Sequence, residues 1–215
     1  VNGQNQKDLM MNKKMQDAKV AVLLCDGFEE VEMVKPRAAL ESAGAKVFLI
    51  TPNARQVKAW NHDHWTKKYP VDVKLEKAKP GDYDMVLLPG GVINPDKLRT
   101  SKEAIRFLKH FFTAKKIVAA ICHGPWTLVE TGRIKGRKMT SYHSIKSDIA
   151  NAGAQWQNKK VVIDGTLITS RQPGDIPAFN KAIIDTFSKK NKKRSTPKTA
   201  SKSLSKKTIK AKRTR

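Results

Sequence analysis

In the stretch AICHGPW, Cys122 and His123 stand where an apolar run stops and a helix-forming run begins. A thiolate attacks carbonyl carbon readily, and histidine is suited to moving its proton near neutral pH. Adjacency alone does not aim the two side chains at each other, so their partners must come from elsewhere in the fold. One source is GFEEVE, which supplies Glu29, Glu30 and Glu32. A buried carboxyl among them could stay protonated and donate to the sulfur, although acids in a first turn also simply favour a helix start. A second source is LLPGG: the backbone N–H groups at Gly91 and after Cys122 could together form an oxyanion hole, although PGG is also an ordinary turn.

These groups meet only if the elements carrying them end at one edge. Val118 to Ile121 read as a buried parallel strand, and Trp126, Leu128 and Val129 as a packed helix that Gly132 ends. Cys122 then occupies a strand-to-helix nucleophile elbow, where the helix dipole is expected to lower its thiol pKa. KVAVLLC (Lys19 to Cys25), Lys46 to Ile50 and DYDMVLLPGG read as further strands. Between the first two lies a helical face around Leu40, which Pro36 is expected to kink or divide. SKEAIRFLKHFFTAKK is an amphipathic helix feeding IVAAIC. After the elbow come RKMTSY, a helix near SIKSDIANAG, the short strands KVVIDG and TLITS, and a last helix from Ile176 to Phe187. The alternation predicts an α/β doubly wound parallel sheet with helices on both faces and its site at the carboxyl ends of the strands. Arg55 to Ala78 reads as a loop with a minor strand pair.

The 215 residues suit one α/β domain with extensions: residues 1–18 as a polar, disordered segment, 19–188 as the domain and 189–215 as a basic, disordered tail. The formal net charge is +24, yet Lys189 to Arg215 carry 13 basic residues and no acid, so the body alone is +11. That tail would attract phosphates by counterion release, giving salt-sensitive and nonspecific contact with nucleic acid; it lacks aromatics for base stacking. An equally simple reading is a solubilising tail. Cys25 and Cys122 sit at strand ends without an apolar leader, which points to a reducing, cytoplasmic setting rather than a disulfide framework. Cys25 reads as core. No run approaches the roughly 18 apolar residues of a membrane span. His62 and His64 form a His-x-His pair, read as an exposed polar loop beside Trp65, since zinc and facial-triad spacings are absent.

AICHGPW, LLPGG, FEEVEMVKPRAALESAGAKV and TSYHSIKSDIANAGAQW occur in an order that resembles the PfpI intracellular protease family, within the glutamine amidotransferase-like superfamily, over about Lys19 to Phe187. The resemblance implies a flavodoxin-like sandwich with Cys122 as nucleophile, His123 beside it, Glu32 as the carboxyl that contacts the cysteine and Glu29 near. It also implies that an acid from a neighbouring subunit orients the histidine; the matching residue in GGVINPDKLR is Asp96, where the PfpI pattern has Glu. A homodimer or larger oligomer follows, with no cofactor. His143 stands where relatives commonly have proline and receives no role.

Family members are described as intracellular peptidases, cofactor-independent glyoxalases, deglycases and stress chaperones. The enzymatic readings share thiolate attack on an electrophilic carbonyl, in a small molecule or a peptide. No extended peptide groove is evident in the sequence, so glyoxalase or deglycase chemistry ranks above proteolysis. A catalytically silent chaperone or redox sensor is the third reading, because an accessible low-pKa cysteine oxidises readily. Glutamine hydrolysis is disfavoured: downstream of His123 only His143 remains, without a His-x-Glu pattern.

Overall fold

The computed structural model describes residues 14–52 and 55–195. The first half contains β1 (Lys19–Leu23), β2 (Phe28–Glu29), α1 (Glu30–Ser42), β3 (Lys46–Thr51), β4 (Gln56–Asn61), β5 (His64–Pro70), β6 (Val73–Lys74) and β7 (Met85–Leu88). After α2 (Ile93–Thr100) and α3 (Lys102–Thr113) come β8 (Ile117–Ile121), α4 (Gly124–Val129), β9 (Lys138–Met139) and α5 (Lys146–Asn151). The chain then forms β10 (Gln155–Trp156), β11 (Val161–Asp164), β12 (Leu167–Ser170) and α6 (Ile176–Ser195).

The main sheet has seven strands in the order β11-β12-β8-β7-β1-β3-β6. Its centre is parallel, with Val20 opposite both Val47 and Met85, and Val86 opposite Val118. These strands are apolar on both faces because helices cover both. Val20 and Val22 pack with Leu40 of α1 and with Phe179 and Ile183 of α6. Ala21 and Leu23 face the opposite layer, with Leu108 and Phe111 of α3, Leu128 of α4 and Ile149 of α5. Ser101 caps α3 by accepting the Ala104 N–H at 3.2 Å. The fold is the expected flavodoxin-like α/β sandwich.

Several local expectations are corrected. The sheet is not wholly parallel: β11 pairs antiparallel with β12, because only a two-residue turn separates them. Pro36 does not divide α1, which runs unbroken through it. Pro36 removes the N–H that would close on the Glu32 carbonyl, and its ring is buried in the helix's packed face. The first boundary moves from 19 back to 14, since Met15 is fully buried in the core and its N–H donates to the Ala43 carbonyl at 2.9 Å. The last helix continues past Phe187 to Ser195, so residues 189–195 belong to α6 and not to a disordered tail. Residues 1–13 and 196–215, with most of the basic segment, lie outside the described residues. The expected minor strand pair is present as β4 and β5, which join β2 in a separate three-stranded sheet. RKMTSY contributes only the two residues of β9, paired with β10. Among the described residues no helix is long and apolar enough to cross a membrane.

Candidate active site

β8 delivers Cys122 to the carboxyl edge of the sheet, and α4 departs two residues later. Cys122 has φ +60°, a left-handed conformation that is strained for a residue with a side chain and marks an over-determined site. Hydrogen bonds on both sides hold it there: its N–H donates to the Ser170 carbonyl at 3.0 Å, and its carbonyl accepts from the Tyr142 N–H at 2.8 Å. The adjacent turn after β7 comes very close. A Cβ on Gly90 would lie 2.6 Å from Glu32 Oε2 and 2.7 Å from Cys122 Cβ, while one on Gly91, with φ +77°, would lie 2.2 Å from the Gly27 carbonyl oxygen. Both positions therefore require glycine. Asn94, fully buried on α2, pins this turn by donating to the carbonyls of Pro89 at 2.9 Å and Gly90 at 3.1 Å.

The structure separates the three acids of GFEEVE. Glu32 is fully buried; its Oε2 accepts the Gly90 N–H at 2.7 Å, and its side chain acts directly on Cys122. That second contact falls short of hydrogen-bond geometry, since Oε1 has no hydrogen-bond partner. Burial pushes the Glu32 carboxyl up to about 8, so it keeps its proton at neutral pH. Glu29 is also buried and raised by burial, and its Oε2 accepts the His62 N–H at 3.4 Å. Glu30 turns away to the Tyr69 hydroxyl and to Lys67, 3.7 Å distant, and the Tyr69 hydrogen bond leads in lowering its carboxyl below the usual range.

His123 does face the sulfur, which adjacency alone could not establish: Nδ1 lies 3.3 Å from Cys122 Sγ, and Nε2 lies 2.9 Å from Ser144 Oγ. Burial, with His143 nearby, pushes the imidazole down to about 4, so it is neutral at pH 7 and can accept the thiol proton. Cys122 moves opposite to the helix-dipole expectation. Burial pushes its thiol well up, a charged Glu32 would push further, and the N–H groups of His123 and Gly91 pull the other way. Protonation of Glu32 removes that repulsion and turns the carboxyl into a donor toward sulfur. These groups border a pocket of about 610 Å³ that also takes in Trp60, His62 and Tyr142. The Tyr142 ring lies against His123, with centroids 4.8 Å apart.

Of the residues expected at the site, Cys122, His123, Glu32, Glu29 and Gly91 line this pocket. Asp96 is exposed on α2 and is not brought to His123 within the chain; Ser144 holds that ring nitrogen instead. Ser144, Trp60 and His62 were not singled out from sequence as site residues. SYHSIK and NHDHW were in view, but only the tertiary fold turns them toward Cys122. Cys25 is half-buried beside a separate cavity of about 710 Å³ that includes Thr51, Lys97 and Ser101. Burial pushes its thiol up to about 11, and its hydrogen-bond partner is the Thr51 hydroxyl at 4.0 Å, so the larger cavity lacks an activated nucleophile. Among the described residues no three His, Cys, Asp or Glu side chains gather as a metal site.

A family model described as the DJ-1/PfpI family matches residues 18–186. The chain is 40% identical over 168 residues to an uncharacterized protein of Staphylococcus epidermidis, covering 77% of this chain and 95% of that one. An uncharacterized Staphylococcus aureus protein is 39% identical over the same length, with 77% of this chain and 96% of the relative covered. Among solved structures, Drosophila melanogaster DJ-1beta is 31% identical with TM-score 0.73, over 83% of this chain and 95% of that one. A two-domain Anabaena variabilis protein with DJ-1/ThiJ/PfpI-like and ferritin-like domains is 34% identical with TM-score 0.73; the match covers 79% of this chain and 48% of that longer one. The motifs, the seven-stranded sheet and these matches agree: the chain belongs to the DJ-1/PfpI family.

Proposed function

We propose that the protein is a cysteine-dependent enzyme of cofactor-independent glyoxalase or deglycase type, acting on small reactive carbonyls through attack by Cys122. The supporting observation is the convergence on one sulfur of a neutral His123 at 3.3 Å and a fully buried carboxyl, Glu32, that burial pushes up to about 8. His123 takes the thiol proton as sulfur adds to the carbonyl carbon. The Glu32 O–H and the N–H groups of Gly91 and His123 stabilise the charge that develops on sulfur and on the carbonyl oxygen. A pocket of about 610 Å³ suits a small carbonyl compound better than an extended peptide. In a homodimer, Asp96 would act from the neighbouring subunit, and the basic segment would add nonspecific contact with nucleic acid.

The test is consumption of methylglyoxal by the purified full chain, with lactate measured as product and Cys122→Ser as control. Lactate formation that vanishes in the variant supports the reading. Absence of turnover by the wild-type chain removes it in favour of peptidase, chaperone or redox-sensing roles.

A further inference from the structure

Resting on the nucleic-acid contact proposed above, we infer that a folded pole of the domain is a docking face for the phosphate backbone of duplex DNA. The pole lies at the amino ends of the strands and is built from the last turns of α6 and the chain around Lys14 and Lys115. The contact thus belongs to the domain itself and not only to the basic chain that follows it. α6 runs to Ser195, so the stretch SKKNKKRS, residues 188–195, is helical and carries five cations and no acid. Lys189 and Lys192 are exposed, and Lys190 Nζ donates to the Lys115 carbonyl, which ties this helix end to the exposed turn after α3. Lys116 and Lys190 border one cavity of about 310 Å³ with Asp84 and Asn191. Met15, packed in one cluster with Ile184 and Phe187, brings Lys14 to the same place.

This pole repels itself. Lys189 with Lys193, and Lys190 with Arg194, stand four residues apart on one helix, a spacing at which like charges oppose helix formation. The carboxyl end of a helix dipole favours cations only within the last turn, which leaves Lys189 and Lys190 outside its help. The nearby carboxylates are engaged: Asp185 pairs with Lys14 at 3.4 Å and with Lys181, Asp17 lies 3.9 Å from Lys46, and Asp84 Oδ2 accepts the Lys19 N–H at 2.9 Å. Lys116 donates to the carbonyls of Gly81 at 2.7 Å and Pro80 at 3.1 Å, which fix its ammonium without cancelling the charge. A polyanion laid across the pole relieves this repulsion and gains from the release of its own condensed counterions.

Composition selects among polyanions. A helix that lies on a lipid surface needs an apolar face, and residues 188–195 contain only Ser, Lys, Asn and Arg. Single strands are held by stacking on aromatic rings, whereas Phe187, which borders the cavity, is 5% exposed and packs in the core. An array of point charges on a helix end and a turn suits regularly spaced phosphates and reads no base sequence. Because β8 runs from this pole to Cys122, DNA held here leaves the carbonyl pocket open.

The test is binding of the full chain to a short labelled DNA duplex of random sequence between about 50 and 200 mM salt. Lys115→Gln is the deciding variant, since it lies 75 residues before Lys190 and alters the pole without touching the basic segment. It should weaken binding about 3- to 10-fold near 100 mM salt and lower the salt slope by about 1. Lys189→Gln with Lys192→Gln should weaken binding roughly 10- to 100-fold and lower the slope by about 2. The rate of Cys122 alkylation by iodoacetamide, which reads the intact elbow, should not change; its parallel loss would trace the effect to unfolding and overturn the proposal. Wild-type affinity and slope in both variants overturn it and leave the contact to residues 196–215. Loss in the α6 pair with Lys115→Gln at wild type also overturns it, because the helix end would then act without the pole. Binding to phosphatidylserine vesicles in place of the duplex overturns it in favour of a membrane surface. If the wild-type chain does not bind the duplex, the nucleic-acid reading fails and the docking face fails with it.

Discussion

Replacing Glu32 by glutamine removes one proton-binding group from the interior while keeping an acceptor for the Gly90 N–H. The native carboxyl is pushed up to about 8 from an ordinary 4.5, mainly by burial. Between those values the unfolded chain carries the charge and the native chain carries the proton. Native stability is therefore whole below about 4.5 and falls as pH rises through 8. One pH unit corresponds to about 1.36 kcal/mol, so the full window is worth about 5 kcal/mol. Urea unfolding of both proteins across this window, at fixed ionic strength, measures it. Wild type should lose stability toward pH 8 and Glu32→Gln should not, the gap widening by about 3–5 kcal/mol in favour of the variant. His123, pushed down to about 4, contributes an opposite limb: stability present above 6.5 and lost as pH falls toward 4. That limb is common to both proteins and cancels. Parallel curves would refute the assignment of Glu32 as a buried, proton-holding group.

Ser144→Ala removes the partner of His123 Nε2, 2.9 Å away, at an exposed position. A hydrogen bond of about 0.5–1.5 kcal/mol predicts a 2- to 10-fold drop in Cys122 alkylation and turnover with little change in Tm; an unchanged rate would show that the ring is oriented by other contacts. Gly90→Ala drives a Cβ to within 2.7 Å of Cys122 Cβ and 2.9 Å of the His123 nitrogen. Overpacking of this kind costs about 1–3 kcal/mol and should suppress alkylation, whereas a wild-type Tm and rate would contradict the close approach of the two turns.

The central strands were legible because their physics is local. KVAVL, MVLL and IVAAI are apolar at every inward position, since helices cover both faces of the sheet. The elbow was legible for the same reason: a buried strand that meets Cys-His-Gly-Pro must turn at the cysteine. The sense of the Cys122 shift was not legible. A helix dipole can be inferred from sequence, but the 7% exposure of the thiol and the carboxyl beside it arise only from packing. Ser144 and His62 were hidden similarly. One follows a loop whose backbone is pinned by Cys122, and the other sits in a hairpin turn with φ +53°. Nothing periodic in sequence announces either. Pro36 shows the converse: a strong local rule for breaking a helix gave way to burial of its ring in α1.

The last turns of α6 and the residues before β1 share one pole of the molecule. Met15 packs in the same cluster as Ile184 and Phe187, Lys14 Nζ lies 3.4 Å from Asp185, and Lys190 reaches the Lys115 carbonyl just before β8 begins. All of these lie at the amino ends of the strands, whereas Cys122 lies at their carboxyl ends. Packing at this pole is therefore insulated from the chemistry: side-chain changes around Met15, Ile184 and Phe187 should alter how tightly the domain holds together while leaving the Cys122 mouth untouched.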